Sequence, residues 1–158
     1  MSGRLWDWAV AAYARPGVAD TCLELQDLYG QNAPLLLWAA WAAAQGRAPD
    51  EEALEAAADT ARAWEDAAIK PLRAVRRTMK TPIPDVDDAA REAVREQVKT
   101  VELQAERRLL EGLEPLAPEP SGAPRPPLPA LAAASKAWSK VVPRALLERL
   151  ASALSAQP

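Results

Sequence analysis

Apolar positions along this 158-residue chain recur at helical spacing, and no stretch alternates in the manner of a half-buried strand. Leu5, Trp8, Ala9, Ala12 and Tyr13 share one face of a first short helix, which Arg15-Pro16-Gly17 ends. Pro16 suits the first position of a second helix, lined by Val18, Cys22, Leu25 and Tyr29 and closed by Gly30. Asn32 is placed to cap a third helix that tolerates Pro34 in its first turn and ends near Gly46 and Pro49. That third segment, NAPLLLWAAWAAAQGR (32–47), is apolar on nearly every side and carries no charge before Arg47. Its uncharged run spans only about 20 Å at 1.5 Å per residue, short of the roughly 20 residues that a bilayer crossing needs. It reads as a central helix enclosed by its neighbours, with Trp38 and Trp41 filling volume between small alanines.

A fourth helix opens on Asp50, Glu51 and Glu52, where the backbone dipole favours acids. Its stripe runs from Leu54 through Trp64 to Met79, with a bend expected at Pro71 because the ring removes a backbone bond. After the stiff turn TPIPD (81–85), Asp85 is the expected cap of a long fifth helix with a seam of Val94, Val98, Val101, Ala105, Leu109 and Leu113. Residues 114–129 hold seven prolines and read as an extended spacer. Beyond it, 130–157 reads as one amphipathic helix, bent at Pro143. Trp138, Val141, Val142, Ala145, Leu146, Leu150 and Leu154 lie on its apolar side, and Lys136, Lys140, Arg144 and Glu148 form a row opposite. The expected architecture is all-α: a compact bundle of about five helices (4–113) around a central apolar helix, with core side chains Trp8, Cys22, Leu25, Trp38, Trp41 and Trp64, plus a tethered C-terminal helix.

Composition changes this picture little. Apolar residues make up 49% and charged residues 26%, as in globular proteins, and a chain of this length buries roughly 70% of its unfolded surface without staples. The lone Cys22 has no internal disulfide partner, and the opening residues lack the features of a secretory signal, so a bacterial-type cytoplasmic protein is expected.

Charge matters more. Residues 50–68 hold seven acids against Arg62, residues 70–80 hold five bases and no acid, and the net charge is -3. Lys70, Arg73, Arg76, Arg77 and Lys80 form a candidate anion-binding or partner-binding turn, since guanidinium forks donate paired hydrogen bonds to phosphate or carboxylate. The competing reading, internal pairing with nearby acids, is favoured. Nucleic acid is disfavoured, because no reader motif, interleaved aromatics or overall basicity accompanies the patch. Histidine is absent, which excludes Ser-His-Asp and Cys-His catalysis and any histidine-based metal site. Cys22 sits among apolar neighbours as a small hydrophobe. Asp20, Glu24 and Asp27 share one helix side and are taken as a solvated face rather than a Mg²⁺ site. No catalytic residue, metal site or cofactor is assigned.

The motifs LWDWAVAAYARPGV (5–18), CLELQD (22–27), GQNAPLLLWAAW (30–41), PLRAVRR (71–77) and VELQAERRLL (101–110) together resemble a proteobacterial family of small proteins classed as a domain of unknown function, over residues 4–113. The resemblance implies an intracellular all-helical protein and carries no activity to any residue.

Two functional readings follow. The first is an adaptor or accessory protein that binds another protein, self-association included, through the basic turn and the last helix (Lys136, Trp138, Lys140, Val141, Arg144, Leu146, Leu150). The second is a carrier or enzyme for an apolar or phosphorylated small molecule held near Trp38, Trp41 and Arg73. For the last helix, packing onto its own domain ranks first, a partner's groove second and a membrane surface third.

Overall fold

The computed structural model describes residues 4–156, and every structured element among them is helical. The helices are α1 (Arg4–Tyr13), α2 (Val18–Tyr29), α3 (Ala33–Ala44), α4 (Glu51–Trp64), α5 (Lys70–Thr78), α6 (Asp88–Leu113), α7 (Pro127–Trp138) and α8 (Arg144–Ser155). A single π turn, Glu65–Ile69, joins α4 to α5, and a short 3-10 turn, Glu114–Leu116, follows α6. The last position expected in the C-terminal helix, Gln157, lies outside the described residues.

Helix α3 is the axis of the fold. Ten of its twelve residues are buried, and α1, α2, α4, α6 and α7 all pack on it. Asn32 caps it by accepting from the Leu35 amide at 2.9 Å, and the same side chain donates to Glu65 at 3.2 Å. An uncharged helix surrounded on all sides needs no polar face, which is why its hydrophobic residues show no one-sided pattern.

Several local expectations are corrected. Pro71 produces no simple bend. The π turn adds one residue ahead of it, so the Lys70 amide reaches back to the Glu65 carbonyl and Pro71 falls in the first turn of α5, where a missing N–H costs nothing. Asp87, not Asp85, caps α6 by accepting from the Ala90 amide at 2.8 Å, while Asp85 turns the chain at φ 67°. Helix α2 starts at Val18 rather than Pro16, because Gly17 sits in the left-handed region.

The 114–129 segment, expected as an extended spacer, is fastened to the body as a strap. Ser121 and Arg125 donate their amides to the carbonyls of Gly46 and Ala43, at 3.0 and 2.9 Å, tying the strap to the end of α3 and the turn after it. Arg47 holds the strap from the other side, donating to the carbonyls of Pro118 and Ala117 at 2.6 and 3.1 Å. Gly46 is required there: φ is +71°, and a Cβ would stand 2.2 Å from the Gly122 carbonyl oxygen.

The expected single C-terminal helix is two, separated at Ser139–Pro143. Ser139 turns extended after α7, and Pro143 precedes α8 with a non-helical backbone. Two further prolines are absorbed in the first turn of α7. Helix α7 lies along α3, and α8 lies on α2 and α7. Both belong to the same core as α3, with Leu131, Trp138, Leu147, Leu150 and Leu154 buried.

The core assignments hold for Cys22, Leu25, Trp38 and Trp41, all at most 2% exposed. Trp8 and Trp64 sit instead at its margin, only partly buried, because α1 and the end of α4 form the outer layer. The valine seam of α6 also divides. Its lower part, Ala105, Leu109 and Leu113, is buried, whereas Val94 and Val101 are 45% and 47% exposed. Helix α5, which packs on α6, itself buries no residue.

Candidate functional site

The π turn sets the geometry of the basic residues. By shifting the helical register between α4 and α5, it brings Arg73 and Arg76 opposite α6. Arg76 grips Glu102 through Nε at 2.6 Å and Nη2 at 3.3 Å, in the forked geometry of a strong charge-assisted pair. Arg73 reaches Glu65 at 3.3 Å and stands 3.9 Å from Glu102. Arg77 pairs with Asp27 of α2 at 2.7 Å in an exposed position. Three of the five bases therefore spend their charge on acids of the same chain. Lys70 and Lys80 have no ion pair among the described residues.

Sequence reasoning overlooked the acids that complete this network. Glu102 is 8% exposed within the α6 seam, and Glu106 follows one turn later. Burial, reinforced by the Glu102 carboxylate, raises Glu106 to a pKa of about 7. The available signal was an acid inside a helical apolar stripe, between Val98 and Ala105, which demands a cation across the interface. Arg91 was overlooked as well. Its buried guanidinium donates to the Met79 carbonyl at 2.8 Å, and Arg95 donates to the Arg76 carbonyl at 3.3 Å, so α6 caps the end of α5.

The acidic row of α2 is drawn apart rather than gathered. Glu24 is paired with Arg149 of α8, Asp27 with Arg77, and Asp20 is exposed. Cys22 is buried, and desolvation pushes its thiol up to about 11, the condition of an inert side chain.

The residues expected on one C-terminal helix are divided by the break, and both halves pack onto their own domain, the arrangement ranked first for it. Leu150 is buried in the core and Leu146 partly so. Lys136, Lys140 and Arg144 are exposed, as is Val141, which falls in the break between helices. Trp138 is a structural anchor: its Nε1 donates to the Gly30 carbonyl at 2.7 Å, and Arg62 stacks 3.7 Å from its ring centre while donating to the Trp138 carbonyl. The apolar side proposed for a partner or a lipid is thus engaged by α2, α3 and α4. Among the described residues no helix is long and apolar enough to cross a membrane.

Trp38 and Trp41 pack at 0% and 2% exposure and line none of the best-formed pockets among the described residues, so the space expected for a ligand beside them is taken by neighbouring side chains. A pocket of about 340 Å³ lies elsewhere, at the junction of α2, the π turn, α5 and the end of α7. Its wall includes Arg73 and Trp138.

Residues 4–113, from α1 to the end of α6, match the model of a family described as a protein of unknown function (DUF2390). No curated protein and no solved structure matches the chain.

Proposed function

Because this chain belongs to the DUF2390 family of proteins of unknown function, no activity passes to it from relatives, and we propose that it is a non-catalytic adaptor that binds a helix of another protein. The observation that carries this reading is the outer half of α6 with α5 beside it. Val94 and Val101 lie two turns apart on one face and are nearly half exposed, and Val75 of α5 is 44% exposed. The seam between the two packed helices is read as the docking groove, and Asp88–Val101 offers about 20 Å of length, enough for an amphipathic helix of four turns. Helix α5 and the outer half of α6 form an arm that the basic turn braces from within: its arginines tie α5 to α6 and to α2, which fixes the groove before any partner arrives. The lone buried Cys22 supports a reducing, cytoplasmic setting.

The test compares the wild type with a Val94→Asp/Val101→Asp variant whose thermal melt is unchanged. Affinity capture from native lysate is expected to return a stoichiometric protein with the wild type and to lose it with the variant. Retention of the same protein by both would refute the groove. Sedimentation equilibrium guards the identity of the occupant: a wild-type dimer that becomes monomeric on substitution would replace the foreign helix with a second copy of this chain.

A further inference from the structure

The pocket at the foot of the α5–α6 arm carries chemistry that the adaptor reading does not use. Its wall contains four cations, Arg62, Lys70, Arg73 and Arg77, and three carboxylates, Asp27, Glu65 and Asp66. Arg73, Arg77 and Arg62 are engaged by Glu65, Asp27 and the Trp138 carbonyl. Lys70 and Asp66 face the same space without an ion pair or side-chain hydrogen bond among the described residues. One positive charge is therefore in surplus, and one separated pair of opposite charges is unspent.

Gln31 points to the same conclusion. It is 2% exposed and lines this pocket, its amide nitrogen donates weakly to the Val141 carbonyl at 3.4 Å, and its Oε1 has no donor. Arg73 Nε is likewise buried without an acceptor in hydrogen-bond range, the nearest carboxylate being Glu102 of α6 at 3.9 Å. A buried polar atom left unpaired carries a desolvation penalty, which a ligand donor or acceptor removes on arrival. Aromatic ligands are disfavoured, because the accessible face of Trp138 is already covered by Arg62.

We propose that this pocket binds a free, amino-acid-sized zwitterion with one net negative charge, an acidic α-amino acid being the simplest case. Its carboxylates meet Lys70 and Arg73, and its ammonium meets Asp66 and, after rotation of the side-chain amide, Gln31 Oε1. The surplus cation selects the net charge, and the unspent carboxylate and amide oxygen select the ammonium. A pocket of about 340 Å³ accommodates a molecule of that size and falls at the small end of the range for small-molecule sites.

Isothermal titration calorimetry on the full chain tests this with L-glutamate, glutarate and inorganic phosphate as probes. L-glutamate is expected to bind with a Kd below about 1 mM. Glutarate, which lacks the ammonium, is expected to bind at least tenfold more weakly, and phosphate more weakly still. Lys70→Ala, at an exposed position that leaves the fold intact, is expected to weaken glutamate at least tenfold, and Asp66→Asn to abolish its advantage over glutarate. Absence of glutamate binding overturns the proposal. Equal binding of all three probes, or glutamate binding that survives both substitutions, overturns it too. None of these outcomes depends on Val94 or Val101, so failure here and failure of the helix groove are separate results.

Discussion

Helix α3 and the outer half of α6 are both helical segments with regularly placed apolar residues, yet one is the most enclosed part of the molecule and the other among the most exposed. On α3 every direction is covered by another helix, and even its alanines at 39 and 42 are 0% exposed. Along Asp88–Val101, by contrast, Arg91 is the one buried residue. The difference lies in the number of layers, not in the side chains. Periodicity reports which way a residue points, and the rest of the fold decides whether anything stands there to meet it.

The largest test of this contrast removes a layer. A chain ending at Leu113 keeps all residues of the family match but loses α7, which covers α3, and α8. Five buried side chains, Leu131, Trp138, Leu147, Leu150 and Leu154, go with it. At about 1.5–3 kcal/mol each, they approach the whole net stability of a domain. The truncated chain is expected to retain helix by far-UV circular dichroism while losing its cooperative thermal transition and binding a hydrophobic dye. A cooperative melt would mean that α1–α6 enclose α3 unaided.

Point substitutions sharpen the same comparison. Trp38→Ala should cost about 3–5 kcal/mol by urea unfolding, as for other large core residues. Val94→Ala should cost about 0.5 kcal/mol or less, since nearly half of its surface already meets water. Similar losses at both sites would erase the distinction between body and arm.

Glu106, at the junction of the two regions, supplies a pH test. Its folded pKa of about 7 lies above the value of about 4.5 expected in the unfolded chain. Below pH 4.5 both states are protonated and no penalty exists. As pH rises from there to 7, the unfolded state releases its proton first, and the folded protein loses stability until the penalty levels off above 7. The full effect is about 3 kcal/mol at most. Glu106→Gln is therefore expected to stabilise the protein by about 1–3 kcal/mol at pH 8 relative to its effect at pH 4, measured by urea titration at both values. An effect independent of pH would show that the carboxyl is ionised in the fold.

The smallest effect is expected from Arg77→Ala. Its pair with Asp27 is 2.7 Å long but about half exposed on both sides, and such pairs contribute about 0–1 kcal/mol. A larger loss in a thermal melt would mean that the arm leans on α2 for its stability.

Much of the body was legible from residue order. The charge-free run, the Asn32 cap and the Gly30 terminus are local features, and each appears where local chemistry demands it, while Asp50, expected among the first-turn acids of α4, is its cap. The break at Ser139–Pro143 was only half legible: Pro143 signals an interruption, but the end of α7 at Trp138 depends on the indole reaching Gly30, 108 residues away. The strap's attachment is not legible in the sequence, because prolines announce an extended chain without announcing what that chain binds. In the candidate site the arginines were visible as a cluster, whereas their partners Glu65, Glu102 and Asp27 come from three separate elements. Gln31 could not be marked in advance, since an unpaired amide oxygen is a property of the assembled pocket.

Native-state hydrogen exchange resolved by residue measures the central claim most directly. If α3 is sealed by its neighbours including α7, amides from Leu36 to Ala43 will exchange only through global unfolding, with the same free energy and denaturant dependence as the whole molecule, while those between Asp88 and Thr100 exchange through smaller openings. Exchange of the α3 amides at a lower free energy than global unfolding, in step with release of α7, would contradict it.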